Sequence, residues 1–300
     1  MNPPTVFVHT NDQQMLGALL AAYSFRSRSA SPERFEVKLL RLEDTPHLHR
    51  REGQRYLRMG KLAVWHNDDL QSFSPLRRLV PQLMGYQGRA LVTDPDVFSA
   101  GGDVYELLTC DMQGKAVMCR NLPASQGGGP GKWATSVMLL DCARLTDWRW
   151  DEEIDAMFSG RLDYKPWIQL AHQDPSTIGE LPEEWNSFDK LTPQTRLLHM
   201  TERLTQPWKT GLPVDFNTNF QGLAGRLRRW LRDRGLLRPR RRYLPHPDPH
   251  QEAFFFDLLR EGLEKGVLTE DFLRQAVASQ DVRPDVFERL GRAGYRGCPR

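Results

Sequence analysis

Two carboxylates one residue apart, Asp94 and Asp96, close a short apolar run at Ala90-Leu91-Val92. The run reads as a buried strand, and the chain turns apolar again at Val97 and Phe98. Open α/β sheets bind ligands just beyond the carboxyl ends of their strands. Two carboxylates placed there can share one hard divalent cation, and such a cation can hold a diphosphate. Pro95 fixes φ of the residue between them, which gives a defined turn. The same pair also suits an ordinary acidic turn, so the surrounding residues have to discriminate.

Arg77 and Arg78 lie in Ser74–Met84, a short helix leading into that strand. One of them reads as surface charge; the other can meet a phosphate near the Asp94 turn with a planar, bidentate donor set. Thr10, Asn11 and Asp12 follow a first strand, Val6–His9. Asn11 or Asp12 suits the cap of the next helix, and the alternative is that Thr10 and Asn11 face a nucleotide base at the strand's end. His199 ends a later strand that starts at Arg196; a lone histidine there reads as structural or as a ligand. His47, His49 and His66 have no partner at ligand spacing and read as solvent-facing or structural. Gly127–Gly131 lacks the lysine and hydroxyl that end a phosphate loop, and reads as a flexible connection. Trp148, Trp150, Trp167 and Trp185 read as core and rim packing in preference to sugar-stacking platforms.

The elements that must position these groups follow from pattern. Leu16, Leu19, Leu20 and Tyr23 recur on one helical face, and Phe35–Leu40 reads as a second strand. The resulting β-α-β start predicts a parallel sheet and an α/β class. Lys115–Cys119 and Ala134–Asp141 read as further strands, and Ile178–Asn186 as a strand running into a turn. Three hundred residues suit one large α/β domain with an appendage. At 39% hydrophobic and 26% charged residues, the composition excludes disordered and membrane-spanning classes. Four cysteines without C-x-x-C or zinc spacing fit a reducing compartment. No signal peptide is visible at Met1–Thr5, and the longest mostly apolar run, Met15–Tyr23, is too short to cross a bilayer, so a cytoplasmic location is expected.

From Asp215 the composition changes, which predicts a domain over 1–215 and a second region over 216–300. Residues 226–243 hold nine arginines and one acid, Asp233, while Leu223, Leu227, Trp230 and Leu231 recur at helical spacing. This basic amphipathic segment suits either a helix packed on the main domain or adsorption to an anionic membrane surface, peripheral to its inner face. No reading motif points to nucleic acid, and none is expected as a partner. Helical patterns at Phe254–Leu263, Thr269–Ala278 and Pro284–Leu290 complete a small helical C-terminal region.

The order of these features resembles one family. A β-α-β start, an arginine helix, Asp-Pro-Asp, the strand Val137-Met138-Leu139-Leu140-Asp141, the turn Ile178…Leu181-Pro182…Trp185-Asn186, and His199 followed by Pro207-Trp208 are similar to the glycogenin and lipopolysaccharide galactosyltransferase type of glycosyltransferase, family 8 with a GT-A fold. The resemblance covers about residues 5 to 211. It implies a Rossmann-like mixed sheet flanked by helices and retaining transfer of a hexose from a nucleotide-diphosphate sugar, usually a UDP-sugar, with manganese. It implies that Asp94, Asp96 and His199 hold the metal, that Arg77 binds the donor, and that Thr10, Asn11 and Asp12 form the base-binding loop. Two carboxylates and an imidazole fit Mn²⁺ or Mg²⁺ by ligand type.

The chain departs from that pattern in places. The family's Asn-Ser-Gly before the apolar strand is Ala134-Thr135-Ser136, and its Asp-Gln-Asp acceptor motif has only Pro166-Trp167-Ile168-Gln169 as a counterpart. Gln169 is then the positional candidate for a catalytic group. The family's pyrophosphate-binding lysine is Gln206 by alignment, with Lys209 or Arg203 close enough in sequence to substitute. The expected function is glycosyl transfer to a glycan or lipid-linked acceptor; the alternative is a catalytically silent GT-A-like nucleotide- or glycan-binding protein.

Overall fold

The structure is a computed structural model that describes residues 3–122, 128, 131–215, 227, 231 and 241–292. The chain divides into two compact units between Thr201 and Glu202, N-terminal to the expected boundary at 215. The basic amphipathic segment lies outside the described residues except for Leu227, Leu231 and the terminal Arg241, Arg242 and Tyr243; of the glycine run, only Gly128 and Gly131 are described.

The first unit is α/β, as expected. Its main sheet contains β1 (Thr5–Thr10), β2 (Glu36–Arg41), β5 (Arg89–Thr93), β7 (Val117–Asn121), β8 (Trp133–Asp141) and β9 (Ile178–Glu180), in the order β2-β1-β5-β8-β7-β9. β1 is parallel to β2 and β5; β8 runs antiparallel to β5 and β7, and β9 is parallel to β7. The sheet is therefore mixed. β1 is buried along its whole length and β8 at all but its end residues, which is why both read as near-continuous apolar runs rather than alternating ones.

A hairpin of β3 (Arg55–Arg58) and β4 (Lys61–Val64) follows β2. It was not legible in sequence, because its strands carry too few apolar residues to alternate visibly. A third, small sheet joins β10 (Ser187–Phe188), β11 (Leu197–His199) and β6 (Val97–Ser99) in the order β10-β11-β6. One core cluster packs Phe7, Val92, Met138, Leu140 and Trp148. A second gathers Tyr56, Trp65, Leu76, Trp150, Tyr164 and Trp167. Trp148, Trp150 and Trp167 thus serve as core, as the sequence suggested.

The helix Met15–Ser27 buries Gly17, Ala18, Ala21, Ser24 and Phe25 as well as Leu16 and Leu20, so it is enclosed on more than the one expected face. The predicted helix at Ser74–Met84 begins as a 3-10 helix, Ser74–Leu79, and becomes α-helical at Val80–Leu83.

In the second unit, the helix Pro249–Glu264 starts at an Asp248 cap, and the helix Glu270–Ala278 at a Thr269 cap; a short helix, Val286–Arg292, follows. Trp208 stacks on Phe255 with ring centroids 4.8 Å apart. Among the described residues no helix is long and apolar enough to cross a membrane.

Candidate active site

The Asp-Pro-Asp turn is held between two sheets. Thr93, the last residue of β5, pairs with Val8 of β1 on one side and Val137 of β8 on the other. The ladder continues one step further, with Asp94 N–H donating to Ser136 C=O at 2.9 Å. Asp96 then leads into β6, where Val97 lies opposite His199 of β11. The Met200 N–H donates to Asp96 C=O at 3.1 Å. Backbone pairing therefore fixes both carboxylates relative to the histidine. The result is a cluster of Asp94, Asp96 and His199 whose ligand atoms lie within 4.8 Å of one another.

Gly17 explains how the helix Met15–Ser27 can back this turn. A Cβ at that position would sit 2.5 Å from the Pro95 carbonyl oxygen, inside van der Waals contact with rigid backbone. Only glycine allows that approach.

Each ligand candidate has a second layer of partners. His199 Nδ1 lies 3.0 Å from Asn186 Oδ1, and Asn186 Nδ2 donates to Ser136 Oγ at 3.0 Å. His199 Nε2 lies 3.3 Å from Asp96 Oδ1. Burial works to lower the His199 pKa, but the Asp96 charge, followed by Asp94, outweighs it and raises the value. Asp94 accepts from Arg77 Nη2 at 2.5 and 2.8 Å and lies 2.7 Å from His9 Nε2. Burial alone would raise the Asp94 pKa; the Arg77 guanidinium, then His9, overrides it and holds the carboxyl well below the usual range. Arg77 also donates from Nη1 to Thr135 Oγ1 at 2.8 Å and from Nε to His9 Nε2 at 3.1 Å.

Both arginines of the Ser74–Leu79 helix are 7% exposed. This corrects the expectation that one of them is surface charge. Consecutive residues on a 3-10 turn diverge by about a third of a turn, and here both directions lead into protein. Arg78 points away from the Asp94 turn, donating to Glu153 and stacking 4.0 Å from the Trp148 ring centroid.

The base-loop candidates separate. Asn11 caps the turn at Asp12–Gln14, and its Nδ2 donates to Asp69 C=O and Ser72 Oγ. Thr10 is fully buried and donates to Asn11 C=O. Asp12 pairs with Arg41 at 2.6 Å, with two thirds of its side chain exposed. Gln169 ends the helix Tyr164–Ile168, which packs on the Ser74–Leu79 helix that carries Arg77. Lys209 belongs to the second unit, where its fully buried ammonium donates to Asp215 at 2.6 Å.

His9 was not singled out by sequence reasoning, and Thr135, Ser136 and Asn186 entered only as counterparts of the family's motifs, with no role of their own. Their signal was faint: a histidine at the end of an apolar strand, two hydroxyls opening another, and an asparagine closing the Trp185 turn.

No protein-family model matches the chain, and no curated protein matches it in sequence. Similar solved structures are glycosyltransferases. The apo form of GlyE from Streptococcus pneumoniae TIGR4 aligns with 89% of this chain at 16% identity and a TM-score of 0.49. The chain spans 64% of that protein's length. The galactosyltransferase LgtC, crystallised with donor and acceptor sugar analogues, aligns with 68% of this chain and 89% of its own at 13% identity, with a TM-score of 0.46. Mouse xyloside xylosyltransferase 1 aligns with 67% of this chain and 94% of its own at 12% identity, with a TM-score of 0.41.

Proposed function

We propose that this protein is a glycosyltransferase that takes a hexose from a nucleotide-diphosphate sugar, a UDP-sugar by resemblance, and passes it to a glycan or lipid-linked acceptor. The reading belongs to the GT-A, family 8 type. The single observation that carries it is the convergence of Asp94, Asp96 and His199 from two separate parts of the chain within one ligand-sized cluster. Two carboxylates and an imidazole suit Mn²⁺ or Mg²⁺ by ligand type, and their ligand atoms lie close enough together to share one such ion. When bound, that ion neutralises the charge that develops on a departing diphosphate.

The residues divide the remaining work. Asp96 and His199 hold their positions through the β6–β11 pair, while Asn186 orients the imidazole. Arg77 supplies a planar donor set beside Asp94, suited to phosphate oxygens as the leaving group gains charge. Asp12, just beyond β1 and paired with Arg41, is the member of the base loop whose carboxylate reaches solvent. Gln169 is assigned as the group nearest the sugar on position alone.

The test is release of nucleoside diphosphate from a panel of UDP-, GDP- and dTDP-hexoses in the presence of Mn²⁺. Activity with at least one donor, lost on chelation and in Asp96→Asn, is expected. Metal-dependent UDP binding without turnover for any donor would favour the silent binding protein instead. The arginine-rich segment adds a membrane reading: sedimentation with anionic but not neutral vesicles, reversed by salt, is expected. Failure to sediment at low salt would remove it.

A further inference from the structure

Asp94 is already paired before any ion arrives. Arg77 Nη2 contacts both of its oxygens, at 2.5 and 2.8 Å, and His9 Nε2 lies 2.7 Å from Oδ1. A cation therefore already stands on a ligand that a divalent ion would need. A guanidinium 7% exposed cannot simply give up that carboxylate, because an unpaired buried charge is strongly unfavourable.

The same cluster contains a conflict. His9 Nε2 faces both the Asp94 carboxylate, at 2.7 Å, and the Arg77 Nε–H, at 3.1 Å. With the proton on Nε2, the histidine donates to Asp94 but presents an N–H to the Arg77 N–H. With the proton on Nδ1, it accepts from Arg77 but turns a lone pair toward a carboxylate oxygen. A protonated ring has the first problem as well. No protonation state satisfies both contacts. Withdrawal of Arg77 resolves the conflict and leaves His9 free to donate to Asp94.

We propose that Arg77 is a built-in counter-ion of Asp94 that competes with the divalent cation, and that a nucleoside diphosphate draws it away by offering phosphate oxygens in exchange. This rests on the metal and nucleotide-sugar reading above and adds a rule of assembly to it. Ion alone must displace or share with Arg77. Diphosphate alone meets an arginine still tied to Asp94. Together, each removes the other's obstacle, so they bind as a pair, and by linkage the enhancement is the same in both directions. His9 keeps the role of positioning residue, holding the Asp94 carboxylate when Arg77 leaves.

Titration calorimetry on the whole protein separates these cases, with MnCl₂ alone, UDP alone, and each in the presence of the other. In the wild type, saturating UDP is expected to tighten Mn²⁺ binding about tenfold or more. Arg77→Met is expected to bind Mn²⁺ alone about fivefold more tightly than wild type and to lose most of the enhancement by UDP. Thr135→Val keeps Arg77 but removes its Oγ1 anchor, and is expected to shift Mn²⁺ binding in the same direction by about twofold. It serves if Arg77→Met fails to fold. Unchanged or weaker binding of Mn²⁺ alone in the folded variants, with wild-type pairing intact, would overturn the counter-ion role. A wild type that binds neither component in any combination would instead overturn the nucleotide-sugar reading.

Discussion

Asn186 Oδ1 stands 3.0 Å from His199 Nδ1 and thereby sets which face of the imidazole meets Asp96. The asparagine is fully buried, and its Nδ2 is committed to Ser136 Oγ. Its carbonyl therefore receives the Nδ1 hydrogen, leaving Nε2 directed at the carboxylates. Asn186→Ala strips both contacts. We expect a loss of about 1–3 kcal/mol in stability, from polar atoms left buried and unpaired. Metal-dependent UDP affinity should also fall, by about 10–100-fold, as for other groups that orient a ligating histidine. Thermal melting and calorimetry read the two effects separately; a stability loss with unchanged affinity would confine Asn186 to a structural role.

Gly17 supplies a prediction with an unusual sign. A glycine inside a helix normally costs about 1 kcal/mol against alanine, so Gly17→Ala would ordinarily stabilise. Here the new methyl would lie 2.5 Å from the Pro95 carbonyl oxygen. Net destabilisation of about 1–3 kcal/mol is expected, together with weaker Mn²⁺–UDP binding as the turn between the carboxylates moves. A raised melting temperature would show that helix and turn separate without strain.

Arg78 and Glu153 form a pair at the other side of the same 3-10 helix, their side chains 9% and 18% exposed. Removing one partner strands the other. Arg78→Met should cost about 3–5 kcal/mol, and the double change Arg78→Met, Glu153→Gln should recover much of it. UDP binding should stay near wild type in the double variant, since neither residue faces Asp94. Chemical denaturation measures the cost, and additivity of the two single losses would contradict the coupling.

Asp103 gives an acid dependence away from the site. Burial works against its ionised form, but hydrogen bonds from Ser29 Oγ, Ala30 N–H and Tyr105 N–H prevail and lower its pKa. A depressed carboxylate contributes stability that is present above its unfolded value, about 3.9, and lost as pH falls through the folded one. Asp103→Asn should cost about 1 kcal/mol at neutral pH, because the amide nitrogen in place of Oδ2 no longer accepts from Ala30 N–H. It should also flatten the stability profile below about pH 4. An unaltered acid limb in the variant would assign that limb to other carboxylates.

The sequence exposed groups whose role is set by type and spacing. Asp94 and Asp96 were legible as a candidate pair because carboxylates at a strand end stand out against an apolar run, whereas His199 joined them only through the family resemblance. The α/β class was legible because an apolar strand, an amphipathic helix and a second strand follow one another at the start of the chain. The roles of His9, Thr135 and Asn186 were not, since each acts through a neighbour brought alongside by the fold, and nothing local to it records that neighbour. Arg78 misled for the opposite reason. Its charge suggests solvent, whereas Glu153 and the Trp148 ring, both far along the chain, make its burial tolerable.

The pairing of β6 with β11 also sets a schedule for biosynthesis. About a hundred residues separate the Asp-Pro-Asp turn from His199. At roughly 5–20 residues per second, translation takes on the order of 5–20 seconds to cross that interval. Throughout it, the nascent chain carries both aspartates but not the strand that places the histidine against Val97. Asp94 can meet Arg77 as soon as β5 emerges, because that arginine is made first. Of the groups gathered around Asp94, Arg77 and His9 precede it in the chain, whereas His199 is made about a hundred residues later.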